Sequence, residues 1–148
     1  MLKKKYNGDE IQNKQIKKLY NIAKSVAIPK KINEQICFGG VGAVVLTKQG
    51  NIYTGVCIDT DCSLGMCAER NALSTMITNG EIEIDTVIAV NKMGKVLPPC
   101  GACREFMWQL SNSNDIKVVI DNKGTMVNLE KLIPFPYLSL IHISEPTR

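Results

Sequence analysis

Apolar residues near the start of the chain recur mostly three or four positions apart, at Ile11, Ile16, Leu19, Ile22, Ala23 and Val26. That spacing places them along one side of a helix and predicts an amphipathic helix over about 10–28. Pro29 ends it, because proline cannot continue the backbone ladder. The period then changes. "VGAVVLT" and "NIYTGVCI" are β-branched runs joined through Lys48, Gln49 and Gly50, which reads as a β-hairpin. "CAERNALSTMITNG" returns to helix formers, with apolar Ala68, Ala72 and Met76 and a Gly80 stop, and predicts a helix over about 67–79. "TVIAVN" is a short apolar strand, and "PPCGACREFMWQL" turns at Pro98 and Pro99 before continuing as a second such helix. "IKVVID" and a short strand around 125–128 complete the pattern.

This order predicts an α/β fold, a mixed sheet of about five strands with helices packed on its faces. Both cysteine-bearing segments fall where a strand hands over to a helix, a position where α/β proteins often bind ligands. At 148 residues, with 45% hydrophobic and 22% charged residues, the chain suits one ordinary globular domain and excludes disordered or collagen-like classes. No linker, repeat or low-complexity segment interrupts it. The last eleven residues, "LSLIHISEPTR", do not continue the pattern and resemble the translation of a transposon-end adaptor used in sequencing-library preparation. The domain is therefore expected within residues 1–137, with its core over 38–137, and residues 138–148 as a non-native tail. The only histidine, His142, lies in that tail and is set aside as a ligand.

The net charge of +4 is uneven: residues 1–31 carry nine lysines against Asp9 and Glu10, so the rest of the chain sums to −3. This basic segment has no arginine and only Tyr6 and Tyr20 as aromatics, which fits a solvated helix face better than a nucleic-acid surface. Lys3, Lys4 and Lys5 are followed by "YNGDEIQNKQ" instead of the apolar core of a signal peptide, and no run reaches membrane-span length. The expectation is a cytoplasmic protein with no membrane partner.

Six cysteines stand at positions 37, 57, 62, 67, 100 and 103, and without an export signal they read as reduced thiols or metal ligands in preference to disulfides. Cys100 and Cys103 are three apart, so in a helix's first turn both sulfurs face one side, and Cys67 is the natural third ligand of a metal. Three thiolates around Zn²⁺ leave one net negative charge, which Arg70 and Arg104, each just after a ligand, can temper by donating to sulfur. Catalytic zinc, structural zinc and a plain buried helix start all remain open from the cysteines alone. Glu69 separates them, since a structural knuckle has no use for a carboxylate two residues from a ligand, whereas a hydrolytic centre needs a proton carrier. Positions two apart in a helix point nearly opposite ways, so Cys67 must stand at the non-helical edge if both are to reach one ion.

"CAE" followed by "PCGAC" resembles the zinc nucleoside deaminases, and within them the small cytidine deaminases and, more loosely, blasticidin S deaminase. The resemblance runs over about residues 41–137, through "VGAVVLTKQGNIYTGV", "MCAERNAL", "PPCGACREFM" and "LEKLIPF". It implies a cytidine deaminase-like fold with one Zn²⁺ per subunit on Cys67, Cys100 and Cys103, Glu69 as the catalytic proton shuttle, and Arg70 beside the ligands. It implies a hydrolase acting on a cyclic amidine: water attacks C4 of cytidine or deoxycytidine, Glu69 protonates N3 and then the departing amine, and ammonia leaves in pyrimidine salvage. It further implies a small-molecule pyrimidine nucleoside as partner, no nucleic acid, and a homotetramer whose sites borrow residues from neighbouring subunits.

The substrate end departs from the family. Where the relatives have Asn, one residue, then Glu against the ribose, this chain has Cys57 and Asp59, and Phe38 stands one place farther from "VGA". Asp59, Cys57, Phe38 and Ala68 are the substrate-binding candidates. The altered motif keeps open a modified aminopyrimidine nucleoside such as blasticidin S as substrate, and the basic start keeps open a non-catalytic zinc-stabilised binding module.

Overall fold

The computed structural model describes residues 6–111 and 115–137, so the expectation for 138–148 falls outside the described residues. The first helix, α1, spans Lys14–Val26 and begins later than the apolar spacing predicts. Asn13 is the reason: its side chain accepts from the backbone N–H groups of Gln15 and Ile16, satisfying donors that would otherwise be orphaned at a helix start. Ile11 reaches the core from the turn before it, 2% exposed.

The chain continues as β1 (Lys30–Lys31), β2 (Ile36–Thr47), β3 (Ile52–Thr60), α2 (Ala68–Thr78), β4 (Ile84–Asn91), α3 (Gly101–Leu110), β5 (Lys117–Val119), β6 (Met126–Asn128) and α4 (Leu129–Leu132). Six strands form one sheet where the pattern predicts about five. The addition is β1, two exposed lysines paired with Phe38 and Cys37, which has no apolar alternation to announce it. β3 pairs β2, and the path β2-β4-β5-β6 follows, with β1 beside the start of β2. All pairings are antiparallel except β4 with β5, whose parallel alignment requires the α3 crossover between them.

Alternate residues of the central strands feed two cores. Val44, Leu46, Ile88, Val90 and Val119 pack with Leu19, Tyr20 and Ala23 of α1. Their neighbours Ala43, Val45, Val87, Ala89 and Val118 pack with Leu73 and Met76 of α2 and Met107 of α3. The sheet therefore separates α1 from the two cysteine-bearing helices, as expected of buried strands apolar on both faces. Close approach is made by glycine on both sides. A Cβ at Gly42 would lie 2.2 Å from the Ala23 carbonyl oxygen, and one at Gly55 would lie 2.2 Å from the Ala72 nitrogen. Gly55 thus sets how near α2 comes to the sheet, and with it where Cys67 stands. Among the described residues no helix is long and apolar enough to cross a membrane.

Candidate active site

Cys67 is the N-cap of α2, in extended geometry with φ −68° and ψ 150°. This is the non-helical edge that the Cys67/Glu69 spacing demands. Cys100 is likewise the N-cap of α3, with φ −67° and ψ 169°, and neither side chain caps its own helix. The thiols turn instead toward each other. Cys67 Sγ lies 3.5 Å from Cys100 Sγ, and Cys100 Sγ lies 3.5 Å from Cys103 Sγ. All three sulfurs fall within 4.8 Å of one another, and they are the one such group among the described residues that could hold a metal ion. Tetrahedral zinc with bonds of about 2.3 Å would separate its sulfurs by about 3.8 Å, so the spacing accommodates that ion.

The turn that delivers Cys100 is anchored twice. Val96 bridges back to Val90 and the Leu97 amide donates to the Ala89 carbonyl, which brings Pro98 and Pro99 over β4. Arg104 then donates from Nε to the Pro99 carbonyl at 2.8 Å and from a terminal nitrogen to the Leu132 carbonyl at 3.0 Å. These two bonds go to backbone carbonyls, holding the approach to Cys100 and tying α3 to α4. The carbonyls of Pro99 and Leu132 are fixed acceptors on either side of its planar fork, and they capture it.

Glu69 sits in the first turn of α2, 6% exposed, and is the one charged side chain among the described residues that is buried. Burial pushes its carboxyl above the ordinary range, outweighing its backbone hydrogen bond, the Cys103 thiol and the neighbouring Arg70 charge. Burial also raises the Cys67 thiol, with Cys100 adding to the effect, and raises Cys103 strongly. At Cys100 burial works upward too, but the Cys103 amide and the two neighbouring thiols win and lower it. Cys100 is thus the one thiol of the three that its protein surroundings make more acidic, and a cation among them would favour the thiolate form of all three. The Nε of Arg70 is buried with no hydrogen-bond partner among the described residues. A soft donor set of three thiols, a spacing that fits and an unpaired buried donor in the same helical turn together suit a zinc ion.

The substrate candidates are brought together only in part. Ile58 and Met66 form an antiparallel bridge, which lays the end of β3 beside the residue preceding Cys67. Cys57, 9% exposed, accepts from the Val41 amide at 3.2 Å and points its thiol at Asp59 Oδ2 at 3.5 Å. Asp59 is exposed. Phe38 pairs with Ile58 and Cys37 with Asp59, so by strand alternation Cys37 shares the Asp59 face and Phe38 takes the other. Ala68 is 1% exposed within the apolar cluster under α2. Periodicity gives no sign of Asn71, whose side-chain amide donates to the Val56 carbonyl at 3.0 Å and fastens the first turns of α2 to β3.

Comparison with known proteins adds an independent line. The family described as "Cytidine and deoxycytidylate deaminase zinc-binding region" matches residues 13–120. A blasticidin-S deaminase of Bacillus cereus is 30% identical over 106 residues, 66% of this chain and 76% of that protein. A cytidine deaminase of Halalkalibacterium halodurans is 37% identical over 99 residues, 64% of this chain and 74% of that protein. Among solved structures, the cytidine deaminase from Mycobacterium tuberculosis aligns with TM-score 0.68 at 22% identity, covering 82% of this chain and 96% of that one, which speaks for the fold.

Proposed function

This chain belongs to the cytidine and deoxycytidylate deaminase zinc-binding family, and from that premise we propose that it deaminates cytidine and deoxycytidine hydrolytically to the uridine forms, releasing ammonia. The observation that carries the reading is the buried Glu69 carboxylate in the first turn of the helix that Cys67 caps, Cys67 being one of a cluster of three sulfurs. Cys67, Cys100 and Cys103 would hold the zinc. Bound there, the ion supplies Lewis acidity that brings the pKa of a water from 15.7 toward about 7.

The remaining work falls to the chain's own residues. Glu69 takes one proton from the attacking water and delivers it to N3 of the ring. It then takes the second proton from the hydroxyl now on C4 and delivers it to the amine, which leaves as ammonia as the C4–N bond breaks and the C4 carbonyl forms. Its burial keeps bulk water from supplying that proton instead. Arg70 balances the excess negative charge of three thiolates, and Arg104 keeps Cys100 in place through the Pro99 carbonyl. Asp59 accepts from a sugar hydroxyl, with Cys57 beside it and Phe38 and Ala68 as further contacts. A binding module stabilised by zinc has no use for a buried carboxylate in this position, and the energetic cost of burying one argues against that reading.

A second reading is favoured by Cys57. Its thiol is engaged by the Val41 amide and Asp59, so it offers a sugar less than an asparagine amide would. A modified aminopyrimidine nucleoside such as blasticidin S is the corresponding substrate, and a named relative carries that activity in its name. A panel of cytidine, deoxycytidine, cytosine and blasticidin S with zinc-loaded protein, followed by ultraviolet absorbance, tests the two. Turnover of cytidine well above blasticidin S supports the first reading; the reverse order supports the second.

The proposal extends to a cytoplasmic homotetramer. Six free cysteines suit a reducing compartment. Leu64, Phe135 and Tyr137 are 82%, 94% and 69% exposed, apolar surface of the kind that association covers.

A further inference from the structure

On the face of the sheet opposite the cysteines lies a cavity of about 560 Å³ that the proposed reaction does not use. Gln15, Lys18 and Leu19 line it from α1, at the i, i+3, i+4 spacing that shares one helix face. Leu46, Lys48 and Ile52 line it from the β2–β3 hairpin. Asp85 and Lys117 close it from the start of β4 and from β5. Leu19 and Leu46 are buried beneath it, 1% and 7% exposed, while Ile52 is half-buried.

The charges at its rim are not balanced. Both oxygens of Asp85 are taken, one by Lys117 Nζ at 3.4 Å and the other by the Thr86 hydroxyl at 2.6 Å. Among the described residues the one ion pair of Lys48 is at 3.8 Å with Asp115, itself 76% exposed, a geometry worth little in water. Lys18 has no ion pair among the described residues. Lys18, Lys48 and Gln15 therefore share the lining of one cavity whose single acidic lining residue, Asp85, is already engaged by Lys117 and Thr86. The volume falls in the range of small-molecule sites and is far larger than a bare oxyanion needs.

We propose that this cavity binds a small organic phosphate, with the phosphate between Lys18 and Lys48 and the organic body against Ile52. A phosphate suits this rim because it offers several acceptor oxygens to compact ammonium charges approaching from different elements. The site is independent of the deaminase reading, since the sheet lies between it and Cys67, Cys100 and Cys103.

Isothermal titration calorimetry on the full zinc-loaded chain tests it, with adenosine 5′-monophosphate and glucose 6-phosphate as probes, adenosine and glucose as their parents, and inorganic phosphate as the control without a body. At least one phosphorylated probe is expected to bind about tenfold or more tightly than both its parent and inorganic phosphate, and to weaken as salt is raised. Lys18→Glu combined with Lys48→Glu should remove that binding while leaving the circular dichroism spectrum unchanged, and Lys95→Glu, on the turn after β4, should retain it. Phosphorylated probes that bind no better than their parents overturn the proposal. So does an equal loss in Lys95→Glu, because the attraction would then belong to net charge and not to this cavity.

Discussion

At the scale of single residues, what a side chain does depends on where it is held. Cys100 is expected to be a metal ligand, so Cys100→Ser should lower the zinc bound per chain in elemental analysis; an unchanged stoichiometry would remove it from the ligand set. Asp121 offers a pH-dependent case away from the site. Burial works to raise its pKa, but the amides of Thr125 and Lys123 donate to its carboxylate at 3.0 Å each and lower it. A depressed folded pKa means that the stabilisation is present above the unfolded value of about 3.9 and disappears as pH falls through the folded one. Asp121→Ala should therefore melt below the parent at neutral pH, and the gap should close in acid. Cys67, Glu69 and Cys100 were legible in the sequence because ligand chemistry and helix-start geometry both constrain their spacing. Arg104 was not: its position beside a ligand suggested sulfur as its acceptor, and only tertiary structure reveals that the Pro99 and Leu132 carbonyls are in reach.

At the scale of elements, the two cysteine helices are placed by packing that leaves little slack. Gly55→Ala would drive a Cβ to 2.2 Å from the Ala72 nitrogen and 2.6 Å from the Ala68 carbonyl oxygen, so α2 must shift. A cost of about 1–3 kcal/mol in chemical denaturation is expected, along with reduced zinc affinity as Cys67 moves from its partners. Retained stability and unchanged zinc binding would show that α2 is not positioned by this contact. α2, α3 and the β2–β3 hairpin could be read from period, glycine and proline. β1 could not, because two exposed lysines pair through backbone alone, and the start of α1 shifted because Asn13 supplies a cap that apolar spacing does not encode. The face assigned to Phe38 depends on strand register, which the irregularity between Phe38 and Gly42 alters locally.

At the scale of the whole molecule, one sheet keeps two environments apart: three sulfurs and a buried carboxylate on the α2 and α3 side, and a lysine-lined cavity on the α1 side. The α/β class was legible because the order of elements leaves few ways to cover both faces of the central strands. The cavity was not, since Lys18, Lys48 and Lys117 converge only through folding. Light scattering after size exclusion should find a tetramer at micromolar concentration, and a monomer would contradict the assembly. The central claim is that Glu69 carries protons beside a three-cysteine zinc. The most direct measurement compares ammonia release from cytidine by zinc-loaded parent and Glu69→Gln, with zinc content determined for both. The account predicts a loss of about 10²–10⁴-fold at unchanged zinc content; equal turnover by the two proteins would contradict it.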